Sequence, residues 1–404
     1  MKAMQVLTGR ALDKLFEQVR RGSFSVTYSD GATEHYGADE PQFRIRFRDD
    51  NILDLLQGDL LMSFGDAYMD GRVDVEGDLA DLFSLALQSG LMSATQRAQG
   101  LTGTALRAVG RLRSLKHEKE NIAHHYDLGN DFFRLWLDES LTYSCAYFRN
   151  ASDSLEMAQQ QKIDHSLKKL GLQPNETLLD IGCGWGSLVM RAAERFDVNA
   201  TGITLSEEQL AGANAAIEER GLQGKARVRL VDYGAMAEEG RQFDKIVSIG
   251  MIEHVGKENL AGFVQAVEKL LKPGGLALLH SITSVKEGPM NRWVEKHIFP
   301  GGYIPTLPEI ITPLTARDFH IWDVENLGPH YRLTLDCWSE RFERALPTVL
   351  EKFDPKFVRM WRLYLRASSA AFREGVVEVH QLLVSRGQPA VLPLTREDIY
   401  RGQE

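Results

Sequence analysis

From about residue 174 onward, short aliphatic runs alternate with amphipathic stretches, and that rhythm restricts the fold more than any other feature of the chain. The runs TLLDIG, NATGITL, RVRLVD, DKIVSIG and LALLHSI are rich in β-branched and aliphatic residues, and residues 187–195, 207–220 and 258–271 between them have helical spacing. Strands separated by helices pair in parallel, because each crossover carries the chain back to its starting end. Helices then cover both faces of the sheet, so its strands read as near-continuous apolar runs. The first run leads into Leu178-Leu179-Asp180-Ile181-Gly182-Cys183-Gly184-Trp185-Gly186, with a helix expected from about Ser187. Glycines let the backbone turn sharply there and approach a ligand without Cβ clashes. Such a turn lies at the carboxyl ends of the strands, where open α/β sheets bind ligands.

The 404 residues suffice for two or three domains. Residues 1–95 read as a small α+β accessory domain, for lipid binding or dimerisation. A helix over 11–20 precedes the alternating segments FSVTY and FRIRF, which the Asp30-Gly31 turn signal separates; helical regions follow around 50–66 and 79–88. Residues 96–120 form a basic linker, in which Arg97, Arg107, Arg111, Arg113, Lys116 and Lys119 sit among small and aliphatic residues. A solvated linker accounts for this stretch. So does an anchor for anionic headgroups, each basic residue contributing about 1 kcal/mol near a charged surface. Residues 121–404 are read as one domain, and 353–372 within it suit a long amphipathic helix with its apolar face in the core.

A net charge of −9 and a pI of about 5.7 argue against a general nucleic-acid binder. They leave room for membrane contact through a local basic patch. Cys145, Cys183 and Cys337 lack metal-ligand spacing, and so few cysteines suit a reducing compartment, so no metal site is expected. The N-terminal residues show no apolar signal-peptide core and no run is long enough to span a bilayer. The expectation is a cytoplasmic protein that meets any lipid peripherally, at the inner face of the membrane.

Details of the glycine-rich segment favour S-adenosylmethionine over a dinucleotide. Asp180 precedes the glycines, where a carboxylate can face the cationic amino-acid end of that ligand; a pyrophosphate would be repelled. FDKIVS at 243–248 and LKPGG at 271–275 also resemble class I methyltransferases. That resemblance implies an α/β, Rossmann-like fold with a mainly parallel seven-stranded sheet, here following a small α+β N-terminal domain. One departure stands out. Many of these enzymes place an acid at the end of the second strand for the ribose hydroxyls, but this chain reads Gly202-Ile203-Thr204-Leu205-Ser206, with Gln209 one turn on. Thr204 and Gln209, with Leu205 beside them, are the candidates for those contacts. Asp232 and Tyr233 can flank the adenine by hydrogen bonding and stacking; Tyr233 suits a packing role equally well.

Flanking motifs narrow the reading. HYDLGNDFF at 125–133 and LTYSCAYF at 141–148 are followed by MIEHVG at 251–256, LHSIT at 279–283, FPGGYIP at 299–305 and HYRLTL at 330–335. In this order they closely resemble the cyclopropane-fatty-acyl-phospholipid synthases and the mycolic acid cyclopropane synthases, over roughly residues 120–385. The resemblance implies that residues 121–404 are the catalytic domain, and that Tyr143 and Ser144 close over the cofactor beside Gly182, Gly184, Thr204 and Gln209. It also implies a bound bicarbonate, held by the backbones of Cys145 and Ile282 and the side chains of Glu253, His280 and Tyr331. An unsaturated phospholipid at the membrane surface is the implied partner, with a homodimer possible through residues 1–95.

The chemistry agrees with these residue types. An alkene is a poor nucleophile, but a sulfonium methyl is a strong electrophile. Attack leaves a carbocation on the acyl chain, so the pocket must be closed and dry. A base must then take a proton from the transferred methyl before the ring can close. Each residue also has a plainer reading: Glu253 as a helix cap, His280 as a hydrogen-bonded core histidine, Tyr331 as a packing aromatic. Cys145 is assigned a backbone role, since nothing in this chemistry needs a thiolate. Some family members carry a cysteine where LRASSAAFR at 365–373 has Ser368, and it has been treated as catalytic; it is read here as dispensable. Three alternatives remain: a related C-methyltransferase giving a methylene or methyl-branched product, a small-molecule N- or O-methyltransferase, and a non-catalytic lipid- and cofactor-binding protein.

Overall fold

A computed structural model describes residue 16 and residues 22–49, 59–89, 128–388 and 392–400. The rest of the helix expected over 11–20, residues 50–58, the basic stretch from Arg97 to Lys119, and His125, Tyr126 and Asp127 lie outside the described residues. The chain divides into two compact units that are interleaved in sequence. Residues 291–298 and 338–376 associate with the N-terminal segments, whereas the sequence reading divides the chain linearly.

The first unit carries a four-stranded sheet in the order β2-β1-β3-β4: β1 (Phe24–Thr27), β2 (Thr33–Tyr36), β3 (Phe43–Phe47) and β4 (Val73–Glu76). The Asp30-Gly31 turn joins β1 to an antiparallel β2, with Gly31 at φ +87° and its N–H donating to the Tyr28 carbonyl at 3.0 Å. FSVTY and FRIRF therefore do not share a hairpin; β1 and β3 run parallel. Strand β2, TEHY, is absent from the sequence reading because it is polar and exposed, so no alternation marks it.

Helices α1 (Leu60–Met69) and α2 (Leu79–Gln88) begin at Asp59 and Asp78, whose carboxylates accept backbone N–H bonds of the first turn. The late helix Pro355–Arg373 packs against both. Its arginines face partners in this unit: Arg366 pairs with Asp78, and Arg359 pairs with Asp74 at 2.9 Å while lying 4.0 Å over the Tyr68 ring. Ser368 belongs to this helix and hence to the first unit.

The second unit holds the expected seven-stranded sheet. Its strands are β5 (Thr177–Ile181), β6 (Asn199–Thr204), β7 (Ala226–Leu230), β8 (Phe243–Ile249), β9 (Leu271–Ser284), β10 (Phe319–Asn326) and β11 (Val377–Arg386), in the order β10-β11-β9-β8-β5-β6-β7. Strands β5 to β9 pair in parallel, and β11 runs antiparallel to both its neighbours. Strands β10 and β11 escape the sequence reading because buried polar residues (Asp323, His380, Gln381 and Ser385) interrupt their apolar pattern.

The helices of this unit are α3 (Asn130–Arg134), α4 (Leu155–Lys169), α5 (Ser187–Phe196), α6 (Glu207–Glu219), α7 (Tyr233–Glu238), α8 (Leu260–Leu270), α9 (Leu307–Thr315), the part of α10 (Gly328–Arg344) up to Cys337, and a last single turn, Glu397–Tyr400. Successive strand residues feed opposite cores. Leu179, Ile246, Ala277 and Leu382 meet α7, α8 and α9, while Leu178, Val247, Leu278 and Leu383 meet α4, α5 and α6. This two-sided burial accounts for the unbroken apolar runs. After β5 the chain builds outward through β6 and β7, then returns to β8 on the other side of β5, so a switch point opens between β5 and β8. No helix among the described residues is long and apolar enough to cross a membrane.

Packing is tight where β6 passes the glycine turn: a Cβ on Gly202 would stand 2.6 Å from Cys183 Sγ. Gly202→Ala is expected to cost about 1–3 kcal/mol, the usual overpacking range, read as a lower midpoint in denaturant. Gly224→Ala, with open space around it, should leave that midpoint unchanged.

Candidate active site

An open cleft lies over the carboxyl ends of β5, β6 and β8. Every residue expected to bind the cofactor lines it: Tyr143, Ser144, Asp180, Gly182, Gly184, Thr204, Leu205, Gln209, Asp232 and Tyr233. The glycine turn has the geometry its sequence requires. Gly182, Gly184 and Gly186 have φ of +83°, +55° and +79°, and the N–H groups of Gly182 and Cys183 both donate to the Ile203 carbonyl at 3.0 Å. Gly182 also admits a close neighbour, since a Cβ there would meet Met251 Cγ at 3.0 Å.

At the end of β6, Thr204 Oγ1 donates to Gln209 Oε1 at 2.6 Å, leaving the Gln209 amide N–H groups to offer to a ligand. Asp232 Oδ1 caps α7 through the Gly234 and Ala235 N–H groups. Tyr233 lines the cleft and packs edge-on against Phe263 at 5.4 Å. Asp180 is 3% exposed, and burial pushes its carboxyl up to about 7 against the pull of Lys162.

The second set, Cys145, Glu253, His280, Ile282 and Tyr331, does not line that cleft. One member, His280, borders Gly250, itself a lining residue: the Gly250 N–H donates to the His280 carbonyl at 2.9 Å, and a Cβ on Gly250 would stand 4.0 Å from that of Ser144. Glu253 sits in a 3-10 turn (Ile252–His254) and does not cap a helix; its Oε1 accepts from the Ile282 N–H at 2.6 Å. The Ile282 amide, expected to face an anion, is therefore engaged by Glu253. Glu253 Oε2 is buried with no hydrogen-bond partner. Burial pushes this carboxyl up to about 7, opposed by the amides of Ile282 and of Glu253 itself and by the Ser281 hydroxyl.

His280 is 2% exposed and receives a hydrogen bond at Nδ1 from Gln381 at 3.2 Å. Cys145 is fully buried, which raises its thiol far out of the reactive range and fits a backbone role. The chain beside it is pinned to the start of α10: the Ala146 N–H donates to Thr334 Oγ1 at 3.0 Å, and Cys145 Sγ lies 3.8 Å from the Leu327 carbonyl. Tyr331, half-buried, is three residues before Thr334 on the same helix face.

A sequence profile described as mycolic acid cyclopropane synthetase matches residues 113–382. Another, described as a domain of unknown function, matches residues 11–97. The cyclopropane-fatty-acyl-phospholipid synthase of Escherichia coli (strain K12) is 39% identical over 81% of this chain and 83% of its own length. The chain belongs to the cyclopropane synthase family. A probable fatty acid methyltransferase of Pseudomonas putida is 36% identical over 89% of this chain and 92% of its own. The mycolic acid cyclopropane synthase CmaA1, solved in complex with SAH and CTAB, gives a TM-score of 0.62 at 37% identity, covering 66% of this chain and 98% of that one. The fold is that of the class I methyltransferases, and the protein is an S-adenosylmethionine-dependent C-methyltransferase of this family.

Within this cyclopropane synthase domain, helix α4 supplies residues the sequence reading missed. Gln159 Nε2 donates to the carbonyls of Ser144 and Thr142 at 2.8 and 3.2 Å. Lys162, 2% exposed, lines the cleft and donates to Ser144 Oγ at 2.9 Å. Burial lowers its ammonium to about 8, while Cys145, Asp138 and Asp180 favour the charge. Its signal in the sequence was weak: a lysine in a polar helix looks solvated, and only the fold turns it inward. His254 also lines the cleft and is pushed down to about 4 by burial, hence neutral.

Because the folded-state value for Asp180 is raised, its carboxylate is present above about pH 7 and lost as pH falls through that point. Affinity for S-adenosylmethionine is expected to drop over the same range. Lys162→Met is expected to move that acid limb to higher pH and to raise KM for the cofactor roughly tenfold, the ratio that about 1.4 kcal/mol gives. Steady-state kinetics across pH read both effects; an unmoved limb would separate Lys162 from Asp180.

Proposed function

We propose that the protein transfers a methylene unit from S-adenosylmethionine to the cis double bond of an unsaturated phospholipid acyl chain, forming a cyclopropane ring. One observation supports this most: the buried Glu253 carboxyl, three residues on from the cleft-lining Gly250, tied through one oxygen to the Ile282 amide and left without a partner on the other. An orphaned buried oxygen costs about 1–3 kcal/mol, a cost that a bound hydrogen-bond partner would relieve. A small oxyanion with a proton to donate fits it.

The residues that would hold such an anion are Glu253, His280 and Tyr331, with the backbone of Cys145; the Ile282 amide instead fixes the Glu253 carboxyl. S-adenosylmethionine supplies an electrophilic methyl when bound, and bicarbonate supplies a base. The rest belongs to the protein. Asp180 faces the cationic end of the cofactor, Thr204 and Gln209 its ribose, Asp232 and Tyr233 its adenine. Tyr143 and Ser144 cover it, held down by Gln159 and Lys162. Covering excludes water, which would otherwise quench a carbocation on the acyl chain.

The same reading places the enzyme peripherally on the inner membrane face, anchored by the basic residues of 96–120, with residues 1–95 serving lipid binding or dimerisation.

The decisive test incubates the protein with labelled S-adenosylmethionine and vesicles of unsaturated phospholipid, with and without bicarbonate, followed by NMR of the acyl chains. Cyclopropane protons are expected, in bicarbonate-dependent yield. Signals of an exocyclic methylene or a methyl branch instead would assign a related C-methyltransferase reaction, as the name of the Pseudomonas putida relative suggests for that protein. Glu253→Gln is expected to lower turnover by at least about tenfold, within the range of acid–base contributions, with cofactor affinity unchanged by calorimetry. Charge reversal of Arg107, Arg111 and Arg113 should weaken sedimentation with anionic vesicles at low salt; wild-type binding would remove the anchor.

A further inference from the structure

We propose that Gln381 is a positioning residue that holds His280 in its Nε2–H tautomer, so that the imidazole presents a donor to an oxyanion. The argument begins two groups away. Ser166 Oγ donates to the carbonyl of Lys162, one turn earlier on α4, at 2.8 Å, which commits its only hydrogen. Ser166 can then only accept, and it accepts from Gln381 Nε2 at 3.1 Å. This decides which end of the Gln381 amide faces the pair. The second hydrogen on the same nitrogen points to His280 Nδ1 at 3.2 Å. A ring nitrogen that accepts is unprotonated, so in the neutral imidazole the proton resides on Nε2. Reversing the amide would bring Gln381 Oε1 against an oxygen with no hydrogen to give and would strand two buried donors. In the observed sense only one acceptor, Oε1, is left without a partner.

Two further features hold the arrangement. Gln381 and His280 are directly opposed across the antiparallel β11–β9 pair, where side chains share one face of the sheet, so rigid strands set their separation. Burial keeps the imidazole neutral, reinforced by the nearby charges of Lys162, Lys169 and His165 and opposed by Glu325. A neutral ring with Nε2–H can donate to an anion; the other tautomer would turn a lone pair toward it.

The inference rests on the reading of His280 as part of the anion-holding group, and it separates from that reading experimentally. In protein labelled with ¹⁵N-histidine, the His280 signals, assigned by their loss in His280→Ala, are expected to report the Nε2–H tautomer across neutral pH. Gln381→Met removes the donor and should give a mixture of tautomers, with turnover lower by roughly ten- to a hundredfold, the size seen when groups that orient a metal-bound histidine are removed, and KM for S-adenosylmethionine unchanged. Gln381→Glu, whose carboxylate accepts from Nδ1–H, should lock the opposite tautomer and lower turnover further. An Nδ1–H tautomer in the wild type overturns the role of Gln381, and so does wild-type turnover in Gln381→Met beside an inactive His280→Ala. Full activity in His280→Ala would instead defeat the anion-site reading beneath it.

Discussion

A polar group buried under a covered sheet must find a partner inside the protein, and helix α4 is where the second unit meets that requirement. Gln159, Lys162 and Ser166 lie three and four residues apart, on one helix face turned toward the sheet. Each reaches a different part of the site. Gln159 holds the carbonyls of Thr142 and Ser144, Lys162 holds the Ser144 hydroxyl beside Asp180, and Ser166 aligns Gln381 against His280. One rigid element thus holds the Thr142–Ser144 edge of the cleft and, through Gln381, the His280 imidazole. Loops alone would not hold both to a fraction of an ångström.

Two carboxyls, Asp180 and Glu253, are both raised to about 7 by burial, yet their surroundings differ. Asp180 shares its surroundings with the ammonium of Lys162, which favours the charged form that a cationic ligand needs. Glu253 meets a backbone amide on one oxygen, has no hydrogen-bond partner on the other, and has no cation among the groups acting on it. That suits a carboxyl able to keep or share a proton near neutral pH. Environments that separate two acids by role are how one fold runs different tasks at a single pH.

The first unit depends on a different interaction. Arginines of the late helix Pro355–Arg373 reach carboxylates at Asp74 and Asp78 that also belong to the caps and strand ends of the N-terminal sheet. These half-buried pairs connect segments nearly 300 residues apart in sequence, so the unit cannot be closed by the N-terminal residues alone. It also removes the region of Ser368 from the unit that carries the cofactor cleft.

The sequence alone determined the α/β class, the parallel strands β5 to β9 and ten of the residues that line the cleft, because those depend on local signals: apolar period, glycine at positive φ, and polar residues at strand ends. It did not mark β2, whose residues face solvent, or β10 and β11, whose buried polar side chains break the apolar pattern. Nor did it show Lys162, Ser166 and Gln381 as parts of the site, since each looks like an ordinary surface residue until the fold turns it inward. Tertiary structure decided that the Ile282 amide binds Glu253, that the late helix joins the N-terminal sheet, and which nitrogen of His280 accepts. Those are pairings between distant segments, set by packing and by the demand that every buried hydrogen find an acceptor, and no local pattern encodes them.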